Sequence, residues 1–174
     1  MTDMSESQLL ARAIAADAYA FTQLLKLHDD LLRAYAYRLL AGDHALADDA
    51  LQDAYIKAFR NIGRFRRDSS FGTWLHRIVH NCCVDAMRRR RESSRSDVDI
   101  TQPGDHASAT VERVAIAAAL RNLPIHQRAV VVLVDAHGFD YQEAADVLGI
   151  PVGTVRSRLA RARTALRRQL EDAQ

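Results

Sequence analysis

Six arginines, and no other charged residue, fall within residues 150–170: Arg156, Arg158, Arg161, Arg163, Arg167 and Arg168. Alone they would describe a solvated basic helix face, but their surroundings say more. Asp140 with Glu143 three residues later makes a capping box for a short helix over 141–148. Gly149 breaks that helix, and Pro151 sits where a first helical turn tolerates it. Val152, Val155, Leu159, Ala162 and Leu166 then recur at helical spacing, so the arginines point outward. A short helix, a turn and a long basic helix make a helix-turn-helix, whose second helix lies in a DNA major groove with its N-terminal residues against base edges. Arg156, Ser157, Ala160 and Arg161 lie near that end. An arginine can bond a guanine bidentately, and a small residue lets the helix approach closely.

Residues 64–91 carry a second polyanion signature. Arg64, Arg66 and Arg67 mix with Phe65 and Phe71 in a polar stretch, and the next helix ends in Arg88, Arg89, Arg90 and Arg91. Cationic grooves with aromatic contacts to splayed bases hold single-stranded nucleic acid. Taken singly, Phe71 and Trp74 read as core, and Asn81 reads equally as a base-edge ligand or a plain surface amide. His76, His80 and Cys83 share a helical spacing that could ligate zinc, but no fourth ligand lies nearby in sequence. Asp48, Asp49, Gln52 and Asp53 form an acidic face that would repel DNA, so it meets solvent or a basic protein surface. No Gly-rich phosphate loop and no catalytic triad is present. A helical metalloenzyme would need a second ligand pair on another helix. The expectation is therefore a protein that is not an enzyme and uses no cofactor or metal.

The elements that must position these residues are helices. The chain has 174 residues, with 48% hydrophobic and 26% charged, 6% aromatic, 7 glycines and 3 prolines. Such usage favours good helix formers and excludes a β-sandwich or barrel as the main architecture. The net charge of +2 conceals segregation: residues 1–59 carry −4, residues 60–91 carry +7, residues 92–108 carry −3, and residues 109–174 carry +2. Two basic blocks on an otherwise acidic chain indicate two polyanion contacts. An apolar stripe from Phe21 through Leu24, Leu32 and Tyr35 to Leu39 predicts a first helix, stopped at Gly42. Leu46, Ala50, Leu51, Ala54 and Ala58 predict a second, and Leu75, Ile78, Val79, Cys82 and Ala86 a third. Residues 92–108 lose apolar periodicity and read as a linker, after which helices resume near Thr110. Adjacent Cys82 and Cys83 supply no disulfide framework, and no apolar run approaches a membrane span, which predicts a reduced, cytoplasmic protein. The fold class is all-α: two small helical domains, 1–91 and 109–174, joined by a flexible linker over 92–108.

Two blocks of sequence carry a family resemblance. The first is DDALQDAYIKAF starting at Asp48, followed by SFGTWLHRIVHNCCVD starting at Ser70. The second is LPIHQR starting at Leu123, then YQEAADVLGIPVGTVRSRLARAR starting at Tyr141. In this order, over nearly the whole chain, they resemble the extracytoplasmic-function (group IV) sigma factors of the sigma-70 family, with a leaning toward the actinobacterial sigma-M-like group. The resemblance implies that residues 1–91 are sigma region 2 and residues 109–174 are sigma region 4. It implies core RNA polymerase as partner, through the clamp of the largest subunit and the flap of the second largest, together with promoter DNA and a cognate anti-sigma factor. Asp48, Asp49, Gln52 and Asp53 would bind the clamp. Phe65, Arg66, Asp68, Ser70, Phe71, Arg77, Asn81 and Arg88 would recognise and open the minus-10 element, capturing a flipped base. Thr154, Arg156, Ser157, Arg158, Ala160 and Arg161 would read the minus-35 element, and the linker would run toward the RNA exit path. The protein would be cytoplasmic, joining the nucleoid when bound to polymerase. The cysteine pair departs from the family pattern, and Ala160 reduces base contact relative to bulkier relatives. The competing reading is an ordinary helix-turn-helix regulator with residues 1–91 as a dimerisation or effector domain.

Overall fold

A computed structural model describes residues 4–93 and 111–171, the side chains of 111–114 apart. All regular structure in them is helical. The N-terminal half comprises α1 (Glu6–Ile14), α2 (Ala18–Lys26), α3 (Asp29–Leu39), α4 (His44–Asn61) and α5 (Phe71–Ser93). The C-terminal half comprises α6 (Val111–Asn122), α7 (Ile125–Val131), α8 (Tyr141–Leu148) and α9 (Val152–Glu171).

Short polar residues set the helix starts. Ser5 and Gln8 form a capping box on α1, and Asp17 and Asp43 accept from the backbone of Ala20 and Leu46. Ser70 Oγ accepts from the Thr73 amide at the start of α5. The turn between α3 and α4 takes Ala41 and Gly42 through positive φ, 61° and 85°. Gly42 carries that conformation without a Cβ penalty.

Two sequence expectations need correction. The stripe from Phe21 to Leu39 is not one helix: the chain breaks at Leu27 and His28, and α3 starts afresh at Asp29. Asp29 and Asp30, acidic in the first turn of α3, favour a helix start there through the helix dipole. The expected linker begins later than residue 92, because α5 continues through Ser93; its remainder, 94–108, lies outside the described residues. An additional helix, α1, precedes the first expected one.

Leu24, Leu32, Tyr35, Leu39, Leu51, Leu75 and Val79 are fully buried in the N-terminal half, and Val130, Val132, Leu133 and Leu159 in the C-terminal half. The α4–α5 pair is the backbone of the first half, while α7 and α8 pack against α9 in the second. The halves also touch, α8 against α5 and α7 against α3. Residues 4–93 and 111–171 contain no helix long and apolar enough to cross a membrane.

Candidate nucleic-acid interface

The helix-turn-helix is built as its residues require. Asp140 Oδ1 accepts from the Glu143 amide at 2.8 Å, and Glu143 Oε2 accepts from the Asp140 amide at 3.0 Å. Gly149 ends α8 in the left-handed region at φ 63°, turning the chain into α9. Val155, Leu159 and Ala162 are buried, which rotates Arg156, Ser157, Ala160 and Arg161 into solvent; Thr154 and Arg158 are half-buried at its border. Ser157 Oγ donates to the Thr154 carbonyl at 3.1 Å. The Arg156 guanidinium lies 5.7 Å from the Tyr141 ring centroid, a cation–π contact that leads the side chain away from the helix. Arg163 is withdrawn from this face, because Asp135 accepts from it twice, at 3.0 and 2.6 Å. That pairing holds the Arg163 guanidinium charged more firmly than usual.

The second basic block presents a different surface. The rings of Phe65, Phe71 and Trp74 stack edge-on and tilted with centroids 5.3–6.0 Å apart. Phe65 and Phe71 are buried, so both rings shape the loop from beneath and offer no open face. Arg66, Arg67, Asp68 and Ser70 are exposed on its outer side, and Arg67 sits at φ 60°. Arg77, Asn81 and Arg88 line the exposed face of α5. Asn81 opens into a cleft of about 420 Å³ lined also by Lys57, Asn61, Arg64, Trp74, Ile78 and Cys82. Lys57 and Asn61 do not stand out in the sequence. Their one-turn spacing on α4 is the signal that pairs them, and Asn61 Nδ2 donates to the Lys57 carbonyl at 2.8 Å. The cleft thus combines two amides, two cations and an indole, the groups that grip a base and its phosphate.

The acidic face divides in two. Asp48 accepts from Tyr37 Oη at 2.8 Å and Arg33 at 3.2 Å, and Asp53 pairs with Arg89 at 3.4 Å. Asp49 and Gln52 are exposed and make no side-chain bond among the described residues. Behind them Tyr55 Oη donates to Asp29 at 2.5 Å, and Arg33 donates to it at 2.9 Å. Burial opposes the Asp29 charge, but these two donors hold its carboxyl below the usual range.

The helical face of His76, His80 and Cys83 is turned inward. His76 Nδ1 donates to the Gly72 carbonyl at 2.9 Å, and His80 Nδ1 bonds Tyr35 Oη at 2.8 Å. Among the described residues no three His, Cys, Asp or Glu are grouped to hold a metal ion. Burial pushes both imidazoles down to about 4 and the Cys83 thiol up to about 12. These histidines are neutral in the folded protein, whereas the unfolded chain takes up their second ring protons near the usual 6.5. Stability is therefore complete above pH 6.5 and is lost as pH falls toward 4. The slope should reach up to about 1.4 kcal/mol per pH unit for each histidine. Urea unfolding at stepwise pH checks this: His80→Gln should flatten the profile, and an unchanged slope would contradict the burial argument.

The same arrangement recurs in known proteins. Residues 24–93 match sigma-70 region 2, and residues 113–166 match sigma-70 region 4. The chain is 43% identical to the ECF RNA polymerase sigma factor SigM of Mycobacterium tuberculosis, over 97% of this chain and 86% of that protein. It is 31% identical to the ECF RNA polymerase sigma factor SigW of Bacillus subtilis, over 90% of this chain and 91% of that protein. Among solved structures it resembles the sigma factor RpoE bound to the anti-sigma factor NepR from Bartonella quintana, with TM-score 0.78 and 32% identity. That similarity covers 87% of this chain and 96% of RpoE. It also resembles CnrH in complex with the cytosolic domain of CnrY, with TM-score 0.74 and 31% identity, covering 95% of this chain and 97% of CnrH.

Proposed function

The chain belongs to the extracytoplasmic-function sigma factors of the sigma-70 family and is an alternative sigma factor of RNA polymerase, and from that premise we propose how its surfaces divide the work. The observation that carries the proposal is the segregation of three exposed faces: a bond-free acid–amide pair on α4, a basic cleft between α4 and α5, and the outward arginines of α9. A first domain that runs through the end of α5 at Ser93 and a second over 109–174, joined by a linker within 94–108, would carry them separately.

Asp49 and Gln52 dock on the clamp of the largest polymerase subunit, with Asp48 and Asp53 fixing the helices around them; the C-terminal half meets the flap of the second largest. Arg66, Asp68, Ser70, Arg77, Asn81 and Arg88 hold the minus-10 strand. A flipped base enters the cleft beside Asn81, and Lys57 and Arg64 neutralise its phosphates. Melting is driven by binding energy to unpaired bases. Thr154, Arg156, Ser157, Arg158, Ala160 and Arg161 read the minus-35 duplex. The protein works in the cytoplasm, on the nucleoid when bound to polymerase, and is held by a cognate anti-sigma factor between uses. The alternative of an ordinary helix-turn-helix regulator leaves the match of residues 24–93 to sigma region 2 without an explanation.

The test is a pull-down with core RNA polymerase. Asp49→Ala combined with Gln52→Ala should weaken association by about tenfold or more. Exposed substitutions of this kind change stability by about 0.5 kcal/mol or less, so thermal unfolding should not move. Equal affinity for the double variant would overturn the assignment of this face.

A further inference from the structure

Phe71 is the buried anchor that ends the loop of Arg66, Asp68 and Ser70 and opens α5. Trp74 follows about one turn later on the same face and forms a wall of the cleft that holds Asn81. Phe65, Phe71 and Trp74 pack on one another, so the wall moves with Phe71. The first turn of a helix has few backbone bonds of its own and depends on caps and tertiary contacts. Ser70 supplies the cap: its Oγ accepts from the Thr73 amide at 3.0 Å, and its carbonyl accepts from the Trp74 amide at 3.1 Å.

The tertiary contact comes from His28, whose side chain makes no capping bond on α3. Its ring packs on Phe71 with centroids 5.4 Å apart and planes at 61°. It also lies against the α5 backbone, because a Cβ on Gly72 would come within 3.3 Å of both Cε1 and Nδ1 of the ring. At the opposite nitrogen, Glu6 Oε1 of α1 accepts from His28 Nε2 at 3.2 Å. The imidazole is therefore held between α1 and the start of α5.

The helix that supplies Glu6 is itself fixed at both ends. The Ser5–Gln8 capping box sets its first turn, and Arg12 Nε in its last turn donates at 2.8 Å to Asp17, the N-cap of α2. Leu9 and Ala13, on the same face as Glu6, are buried. α1 also packs on the short 3-10 turn Ile62–Arg64, from which the chain enters the loop. One helix thus reaches both ends of the loop: its entry through this turn, and its exit through His28. The match to sigma-70 region 2 begins at residue 24, after α1.

We propose, on the promoter reading given above, that α1 and His28 brace the promoter-opening loop. α1 holds the entry at Ile62–Arg64, the Glu6–His28 pair holds the exit at Phe71–Gly72, and together they set the Trp74 wall of the cleft. His28 is a positioning residue that acts through Phe71. Its loss leaves the amides and cations of the cleft in place but loosens the wall against which a flipped base is gripped.

Trp74 is the chain's one tryptophan, so the emission of the free full chain reports the wall. His28→Ala and Glu6→Ala should shift that emission to the red and ease its quenching by acrylamide. With core polymerase, both should flatten the base preference at the captured minus-10 position by about tenfold, the loss that a slightly misplaced positioning group brings. Discrimination at the upstream element should not change. Glu6→Gln, which still accepts from His28, should stay within about twofold of the unsubstituted chain, because the charge of an exposed pair adds little. Thermal unfolding shows which variants are folded, and Glu6→Ala, at an exposed position, decides the matter if His28→Ala is not. Either readout unchanged in the folded alanine variants, or Glu6→Gln as impaired as Glu6→Ala, would overturn the brace. Shifted emission in the variants, with no base preference at that position even for the unsubstituted chain, would instead overturn the promoter reading and leave the brace of the loop standing.

Discussion

Arg156→Ala is expected to lose about 1–3 kcal/mol of discrimination at one base pair of the upstream element, the worth of a bidentate arginine–guanine contact. Arg156 is exposed, lies over the Tyr141 ring and has no acidic partner among the described residues, so no carboxylate competes for it. Arg163 supplies the control: Asp135 already satisfies it, and Arg163→Ala should leave base discrimination unchanged. Asn81→Ala should behave oppositely to Arg156→Ala, leaving upstream recognition intact while impairing opening. Its partner base is exposed only after melting, so a premelted bubble template should restore transcription by Asn81→Ala but not by Arg156→Ala. Permanganate footprinting on duplex and bubble templates measures both. Equal rescue of the two variants would refute this division of labour between α5 and α9.

Leu75→Ala should cost about 2–5 kcal/mol of folding stability, the range for deleting a fully buried leucine that leaves a cavity. Leu75 is 0% exposed on α5, the helix that carries Arg77 and Asn81 on its other side. A loss of that size is a large fraction of the roughly 5–15 kcal/mol that holds a domain together. The urea midpoint should fall sharply, and opening activity should fail at temperatures where Arg156-dependent duplex contacts persist. A loss under about 1 kcal/mol would mean that α5 is not seated on this core.

Signals carried by near neighbours are legible in the sequence itself. Asp140 and Glu143 cap α8 as their three-residue spacing requires, and Gly149 takes the left-handed conformation that ends it. The inward set of Val155, Leu159 and Ala162 decides which residues of α9 face solvent. Contacts between distant residues are not legible in this way. Periodicity runs straight through Leu27 and His28, while the His28 ring packs 5.4 Å from Phe71, a partner over forty residues away. Phe65 and Phe71 belong to an aromatic block that an arginine-rich loop does not announce. Lys57 and Asn61 meet Asn81 only because α4 lies along α5. The His76, His80 and Cys83 spacing suggests a metal face, but Gly72 and Tyr35 take up the imidazole nitrogens instead. Arg128 reads as one more cation in the sequence, and only its hydrogen bond to the Leu39 carbonyl, 89 residues away, ties α7 to the end of α3.

The most direct measurement is transcription from a linear promoter template by core RNA polymerase supplied with the full chain. On a template bearing both elements, start-site-specific transcripts should appear only when the chain is present, and should disappear with Asp49→Ala/Gln52→Ala or with the upstream element scrambled. The isolated chain should bind the same duplex weakly at physiological salt. Tight, specific binding of duplex by the chain alone, with no start-site-specific transcript from core polymerase, would contradict its assignment as a promoter-specificity subunit.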